Sequence, residues 1–205
     1  MRTVSQLPSE QAPVSLPPQR GSGLCSLLLP VLGALICVVV LPAEGRAQDA
    51  TVSEYQVKAA YLYNFAKFVE WPAESFSSAS SPFQICIFGA DPFGEALRNL
   101  TRGKQVNGRS FEILDGVTAA AQAGSCHILF VSTSATRQFQ AILQTLQGRS
   151  VLIVGESEGF VQRGGMINFV LEGGRVQFEV NRKTAEQAGL KISAKLLSVA
   201  KQVMV

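Results

Sequence analysis

Gly155-Glu156-Ser157-Glu158-Gly159 follows an apolar run and spells G-x-S-x-G. That motif holds a nucleophilic serine on a tight turn between a strand and a helix. Three features argue against that chemistry here. The residues after it, FVQRGGMINF, read as a loop and then a strand rather than a helix. The chain's single histidine, His127, precedes the serine, whereas the hydrolase order places it after. Glu156 and Glu158 would oppose the negative charge that develops on a substrate oxygen. Ser157 is therefore read as a solvent-exposed loop residue, and no catalytic residue is assigned.

A second glycine pattern, Gly89-Ala90-Asp91-Pro92-Phe93-Gly94, lies between a strand-like run and a helix-like one. It lacks the middle glycine of a dinucleotide loop and puts a carboxylate where phosphate would approach. A helix start with Asp91 as cap and Pro92 at the first position is the better reading. One histidine and no clustered cysteines argue against a dedicated zinc site. No cofactor and no metal are therefore expected. His127 sits at a strand end, where a structural role is expected. Gly164-Gly165 and Gly173-Gly174 read as tight turns before and within a hairpin. Asn168, inside an apolar strand, needs a hydrogen-bond partner. It is read as structural, with a place in a small-molecule site as the alternative.

These residues need a scaffold, and the pattern for one is clear. The run SEYQVKAAYLYNFAKFVEW predicts a helix capped by Ser53, with residues 48–53 as a linker before it. Val57, Tyr61, Phe65 and Phe68 form its inward stripe, widened by Leu62 and Val69. Tyr55 and Tyr63 lie off that stripe, on core, neutral surface or a partner-facing surface. Trp71-Pro72 stops the helix, and the serine-rich run 75–81 is a loop. Strand and helix then alternate. Strands are predicted at 83–88, 106–114, 127–132 and 150–155, and helices at 91–100, 117–123 and 134–146. The apolar strands HILFVS and SVLIVG suit a sheet buried on both faces. INFVLEGGRVQFEV is a hairpin around Gly173-Gly174, and two helices, NRKTAEQAG and ISAKLLSVAKQV, close the chain. The fold class is thus α/β: one domain, a largely parallel sheet flanked by helices, and an antiparallel hairpin near the C-terminus.

Hydrophobic residues make up 47% of the 205 residues and charged ones 16%, which supports a packed core and excludes wholesale disorder. Part of that balance comes from Leu24 to Leu41, a stretch with no charge. Arg2 and Arg20 precede it, and Gly45-Arg46-Ala47 offers small residues at the −3 and −1 positions of a cleavage site. The pattern is that of a secretory signal peptide, 1–47, cut after Ala47; an uncleaved anchor is the alternative. The mature domain would be 48–205. Its net charge of +2, one below the +3 of the whole chain, is too small to suggest nucleic acid.

Export bears on the cysteines. Cys86 and Cys126 are the only two beyond the signal segment. An oxidising compartment and an even number point to a disulfide between them; two separate buried thiols are the alternative.

Taken together, YQVKAAYLYNFAKFVEWP (55–72), FQICIFGADPFGEAL (83–97), CHILFVS (126–132) and GFVQRGGMINFVLEGGRVQFEVNRKTAEQAGLKISAKLL (159–197) resemble, in order and spacing, the YfiR family. The resemblance implies a periplasmic α/β protein without known enzymatic activity. It further implies a partner: the periplasmic sensor domain of an inner-membrane diguanylate cyclase or sensor kinase, held inactive so that cyclic-di-GMP stays low. Cys86 and Cys126 match a cysteine pair seen in members of that family. A later pair carried by some members is missing after Cys126, so redox control through it does not transfer. The resemblance also allows a homodimer. The competing expectations are a periplasmic small-molecule-binding module, with its crevice at the C-terminal ends of the strands, and a hydrolase acting through Ser157.

Overall fold

The computed structural model describes residues 45–205, and side chains from Glu54 onward. The apolar stretch 24–41 and most of the signal segment lie outside the described residues.

Helix α1 spans Gly45–Phe68. No glycine or proline interrupts Arg46–Trp71, so nothing in the backbone stops the helix from beginning eight residues before Ser53. Residues 48–53 are helical rather than a linker, and Ser53 is not a cap. The buried stripe is Ala59, Leu62, Phe65 and Ala66, continued by Val69. Val57, expected inside, is 41% exposed. At about 100° per residue it lies about 140° around the helix from Leu62. Strand β1, Val69–Glu70, follows before Pro72, and β9, Lys191–Ile192, pairs with it antiparallel. Residues 73–75 form a single 3-10 turn, and the serine run after them is irregular.

The main sheet has eight strands: β2 (Phe83–Phe88), β3 (Gln105–Val106), β4 (Arg109–Val117), β5 (Ile128–Val131), β6 (Leu152–Gly155), β7 (Ile167–Glu172), β8 (Arg175–Asn181) and β10 (Gln202–Met204). Their order is β10-β8-β7-β6-β5-β2-β4-β3. The five strands from β7 to β4 are mutually parallel. The hairpins β3–β4 and β7–β8 are antiparallel, and β10 returns parallel to β8. Strands β5 and β6 are buried along their whole length, as continuous apolar runs in a helix-covered sheet should be.

Helix α1 lies against an aromatic face. Phe65 packs on Phe169 at 5.8 Å and on Phe178 at 5.3 Å, and Trp71 meets Phe83 edge-on at 4.9 Å. Helices α2 (Glu95–Thr101), α3 (Phe139–Thr145), α4 (Arg182–Gln187) and α5 (Ala194–Leu197) are short.

Several expectations change in detail. The run 106–114 is not one strand: Asn107 and Gly108, with φ of 52° and 78°, make the two-residue turn that Asn-Gly favours. The Ala-rich stretch forms a 3-10 helix over Ala120–Ser125, too short for α-helix nucleation. The helix expected over 134–146 is α-helical only in α3, after 3-10 turns at Thr133–Gln138. The last helix stops at Leu197, because Gln202–Met204 finds an open strand edge on β8.

Candidate functional site

The parallel strands put the two halves of the hydrolase motif at opposite ends of the sheet. His127 precedes β5, whereas Ser157 follows β6, and Ile128 and Leu152 stand side by side at the starts of those strands. Ser157 is half-buried rather than exposed, its hydroxyl 3.0 Å from that of Thr136. The motif's glycines have a packing reason instead. A Cβ on Gly155 would stand 2.4 Å from the Phe160 ring, and one on Gly165 would stand 2.2 Å from its other edge. Phe160 slots between these two glycines and stacks on Phe139 at 4.3 Å. The G-x-S-x-G match is therefore the socket of an aromatic ring.

The Gly89–Gly94 loop is likewise occupied by the protein's own groups. The Ala90 amide donates to Ser134 Oγ at 2.9 Å, and the Phe93 amide donates to Asp91 Oδ1 at 2.8 Å. Asp91 thus closes its own turn, and α2 begins only at Glu95, after Gly94 at φ 52°. Arg98 bonds Asp91 at 3.4 Å and also pairs with Asp115.

Glu156 is claimed from α1. Lys58, 5% exposed, places Nζ 2.6 Å from Glu156 Oε2 and 2.5 Å from Glu54 Oε1. Tyr55 donates its hydroxyl to the same Glu156 carboxylate at 3.3 Å and meets Phe93 edge-on at 5.6 Å. Burial, with the Glu156 charge beside it, pushes the Tyr55 hydroxyl up to about 12, so it stays a donor. This cluster bolts the middle of α1 to the loop after β6, at the C-terminal ends of the strands. A small-molecule crevice was the alternative for that end; the described side chains there bond one another. Sequence reasoning did not find Lys58 and Glu156. Only the Glu54–Lys58 spacing of i, i+4 hinted at them. Tyr63, by contrast, packs on Phe111 at 5.5 Å with Lys67 and Lys104 over its ring.

Cys86, within β2, and Cys126, just before the start of β5, are joined by a disulfide, with Cα atoms 5.9 Å apart. Both are buried. The next residue, His127, adds a cluster of hydrogen bonds. Its amide donates to Gln84 O at 3.0 Å, and Nδ1 accepts from the Gln84 amide at 2.9 Å. Its carbonyl accepts from Trp71 Nε1 at 3.1 Å and from the Leu152 amide at 2.8 Å. The ring stacks on Phe76 at 4.3 Å and on Phe83 at 4.8 Å. Since Nδ1 accepts, the neutral ring carries its proton on Nε2, and that buried atom has no partner among the described residues. Burial holds the His127 pKa below its ordinary value; the Arg109 charge acts in the same direction, and the Ser75 backbone opposes it.

Asn168 is also buried, and its Oδ1 has no partner among the described residues. Among the described residues no group of three or more His, Cys, Asp or Glu is placed to hold a metal ion. No described helix is long and apolar enough to cross a membrane.

The chain is distantly similar to two solved structures. One is the ABC domain from Streptococcus pneumonia in complex with L-Trp, 14% identical, TM-score 0.44, covering 59% of this chain and 55% of that one. The other is a conserved domain protein from Vibrio cholerae O1 biovar El Tor, 12% identical, TM-score 0.44, covering 59% and 54%. The chain thus spans about half the length of each, and likenesses this distant set no expectation for ligand or activity. A family described as YfiR/HmsC-like matches residues 55–201, from the tyrosine that meets Glu156 to the last turn before β10, and the chain belongs to that family.

Proposed function

We propose that the chain is a periplasmic regulator that binds the periplasmic sensor domain of an inner-membrane diguanylate cyclase and holds the enzyme inactive. The observation that carries this reading is the family match across 55–201. The geometry is consistent with it. Ser157 and His127, the two groups that could have formed a nucleophile and base, stand at opposite ends of the sheet. The glycine loops are filled by Phe160, Ser134 and Asp91. What is left for function is surface.

Repression in this reading is a matter of differential affinity: the regulator binds the inactive sensor conformation more tightly and shifts the population towards it. Export is part of the proposal. Cleavage after Ala47 leaves Gln48 within α1 and keeps every side chain of the Tyr55–Lys58–Glu156 cluster. The Cys86–Cys126 bridge suits that compartment.

The test has two arms. The full chain, tagged at its C-terminus, is captured from the solubilised envelope of the organism under oxidising and reducing conditions, and its gene is deleted in parallel. The reading expects a diguanylate cyclase with a periplasmic domain in the capture, and a rise in cyclic-di-GMP on deletion. An unchanged cyclic-di-GMP level together with an empty capture rejects it.

A further inference from the structure

The outer side of the sheet at β4 is unfinished. Strand β3 pairs only with Arg109 and Ser110, so from Phe111 onwards no strand among the described residues covers the outer edge of β4. Open edges of this kind invite an added strand. The stretch is bounded by the β3–β4 hairpin at one end. At the other is the register shift near Asp115-Gly116, where Gly116 has φ 67°.

A cavity of about 470 Å³ lies beside this edge, lined by Arg98, Arg102, Lys104, Ser110, Phe111 and Ile113 among others, and by no carboxylate. Its floor is apolar, because Phe111 packs on Tyr63 at 5.5 Å. Its lining carries Arg98, Arg102 and Lys104, and Lys67 stands outside it on the Tyr63 ring. Lys104 and Lys67 stand 4.7 and 5.4 Å from the centre of the Tyr63 ring. Lys67, Arg102 and Lys104 are exposed, and none makes an ion pair among the described residues. The strand's own carboxylates are engaged: Glu112 accepts from Gln84 at 2.8 Å, and Asp115 pairs with Arg98. Three unpaired cations, an apolar floor and an open hydrogen-bonding edge thus coincide.

We propose that the β4 edge and the cavity beside it receive an extended acidic segment of the partner protein, added as a strand with its carboxylates over Lys67, Arg102 and Lys104. The inference rests on the regulator reading and names its docking surface. Backbone pairing at Phe111–Leu114 supplies register, Phe111 and Ile113 supply apolar contact, and the cations select acidic over basic partners.

The test uses the tagged full chain and the captured cyclase at about 0.15 M salt, where exposed charges act over roughly 8 Å. Charge reversal at Lys67→Glu, Arg102→Glu and Lys104→Glu together should lower the captured cyclase at least tenfold while leaving the melting temperature unchanged. Hydrogen exchange on the wild-type complex should slow the amides of 111–114 at least tenfold relative to the free chain. Equal capture by the triple variant, or unchanged exchange at 111–114 with cyclase bound, overturns the docking surface and leaves the regulator reading standing. Capture of no cyclase by the wild type, together with an unchanged cyclic-di-GMP level on deletion, removes both. Protection of 111–114 that grows with protein concentration, without cyclase present, assigns the edge to a second copy of the chain and also overturns the proposal.

Discussion

His127 is buried neutral between two aromatic rings, and its lowered pKa has a defined stability consequence. Above the ordinary histidine value of 6.5 the ring is neutral both folded and unfolded, and it contributes no pH dependence. As pH falls below 6.5 the unfolded chain binds the proton and the folded chain resists it, so stability falls until the lowered folded pKa is passed. Denaturant midpoints taken from pH 7.5 to pH 5 should therefore decline for the wild type and decline less steeply for His127→Gln. Equal slopes would show that carboxylates alone set the acid limb. A second residue-scale prediction concerns Lys58. Lys58→Ala leaves Glu156 buried beside Tyr55 without its cation and should destabilise by about 3 kcal/mol. Lys58→Met with Glu156→Gln removes both charges and should be less harmful than Lys58→Ala alone, measured by urea unfolding. That pair could not be read from the sequence, because a lysine in a helix defaults to solvent. Its burial comes from a loop about a hundred residues away.

At the scale of elements, Gly155→Ala drives a Cβ into the Phe160 ring and should destabilise by about 2 kcal/mol. Phe160→Leu, with a smaller and more pliant side chain, should recover part of that loss. Gly165→Ala meets the Phe160 carbonyl oxygen as well, at 2.9 Å, and should not be rescued. Calorimetric melting of the two double variants separates the cases. The elements best legible in the sequence were those whose signal is local. FQICIF gave β2 to the residue, because every position but Gln84 is buried and Pro82 and Gly89 mark its two ends. The hairpin at Gly173-Gly174 needed only its turn chemistry. Legibility failed where a partner segment decides. The last residues, helical by composition, become β10 because β8 offers an edge. Lys58 is buried because Glu156 reaches α1. Asn107-Gly108 carried a turn signal as strong as that of Gly173-Gly174, but the two-residue β3 before it was too short to stand out.

At the scale of the whole molecule, the start of β5 is pinned twice to β2, by the disulfide and by the hydrogen bonds around His127. Closing a loop of 40 residues should stabilise by about 4 kcal/mol in the chain-entropy model. Cys86→Ala with Cys126→Ala should lose about that much in a chemical melt, and reduction of the wild type should match it. The fold class followed from the strand–helix alternation alone. The open β4 edge did not, because an edge is a property of strand order, and strand order is set by long-range pairing that no local pattern records.

The bridge has a further consequence, because the residues it encloses, 87 to 125, include α2, the β3–β4 hairpin and the whole open edge. That rim is a covalent ring, not a linear stretch. A protease that nicks any exposed turn within it, at Asn107-Gly108 for example, divides the backbone but releases nothing: the two pieces migrate as one molecule until a reductant is added. The surface offered to a partner can thus be cut without being shed.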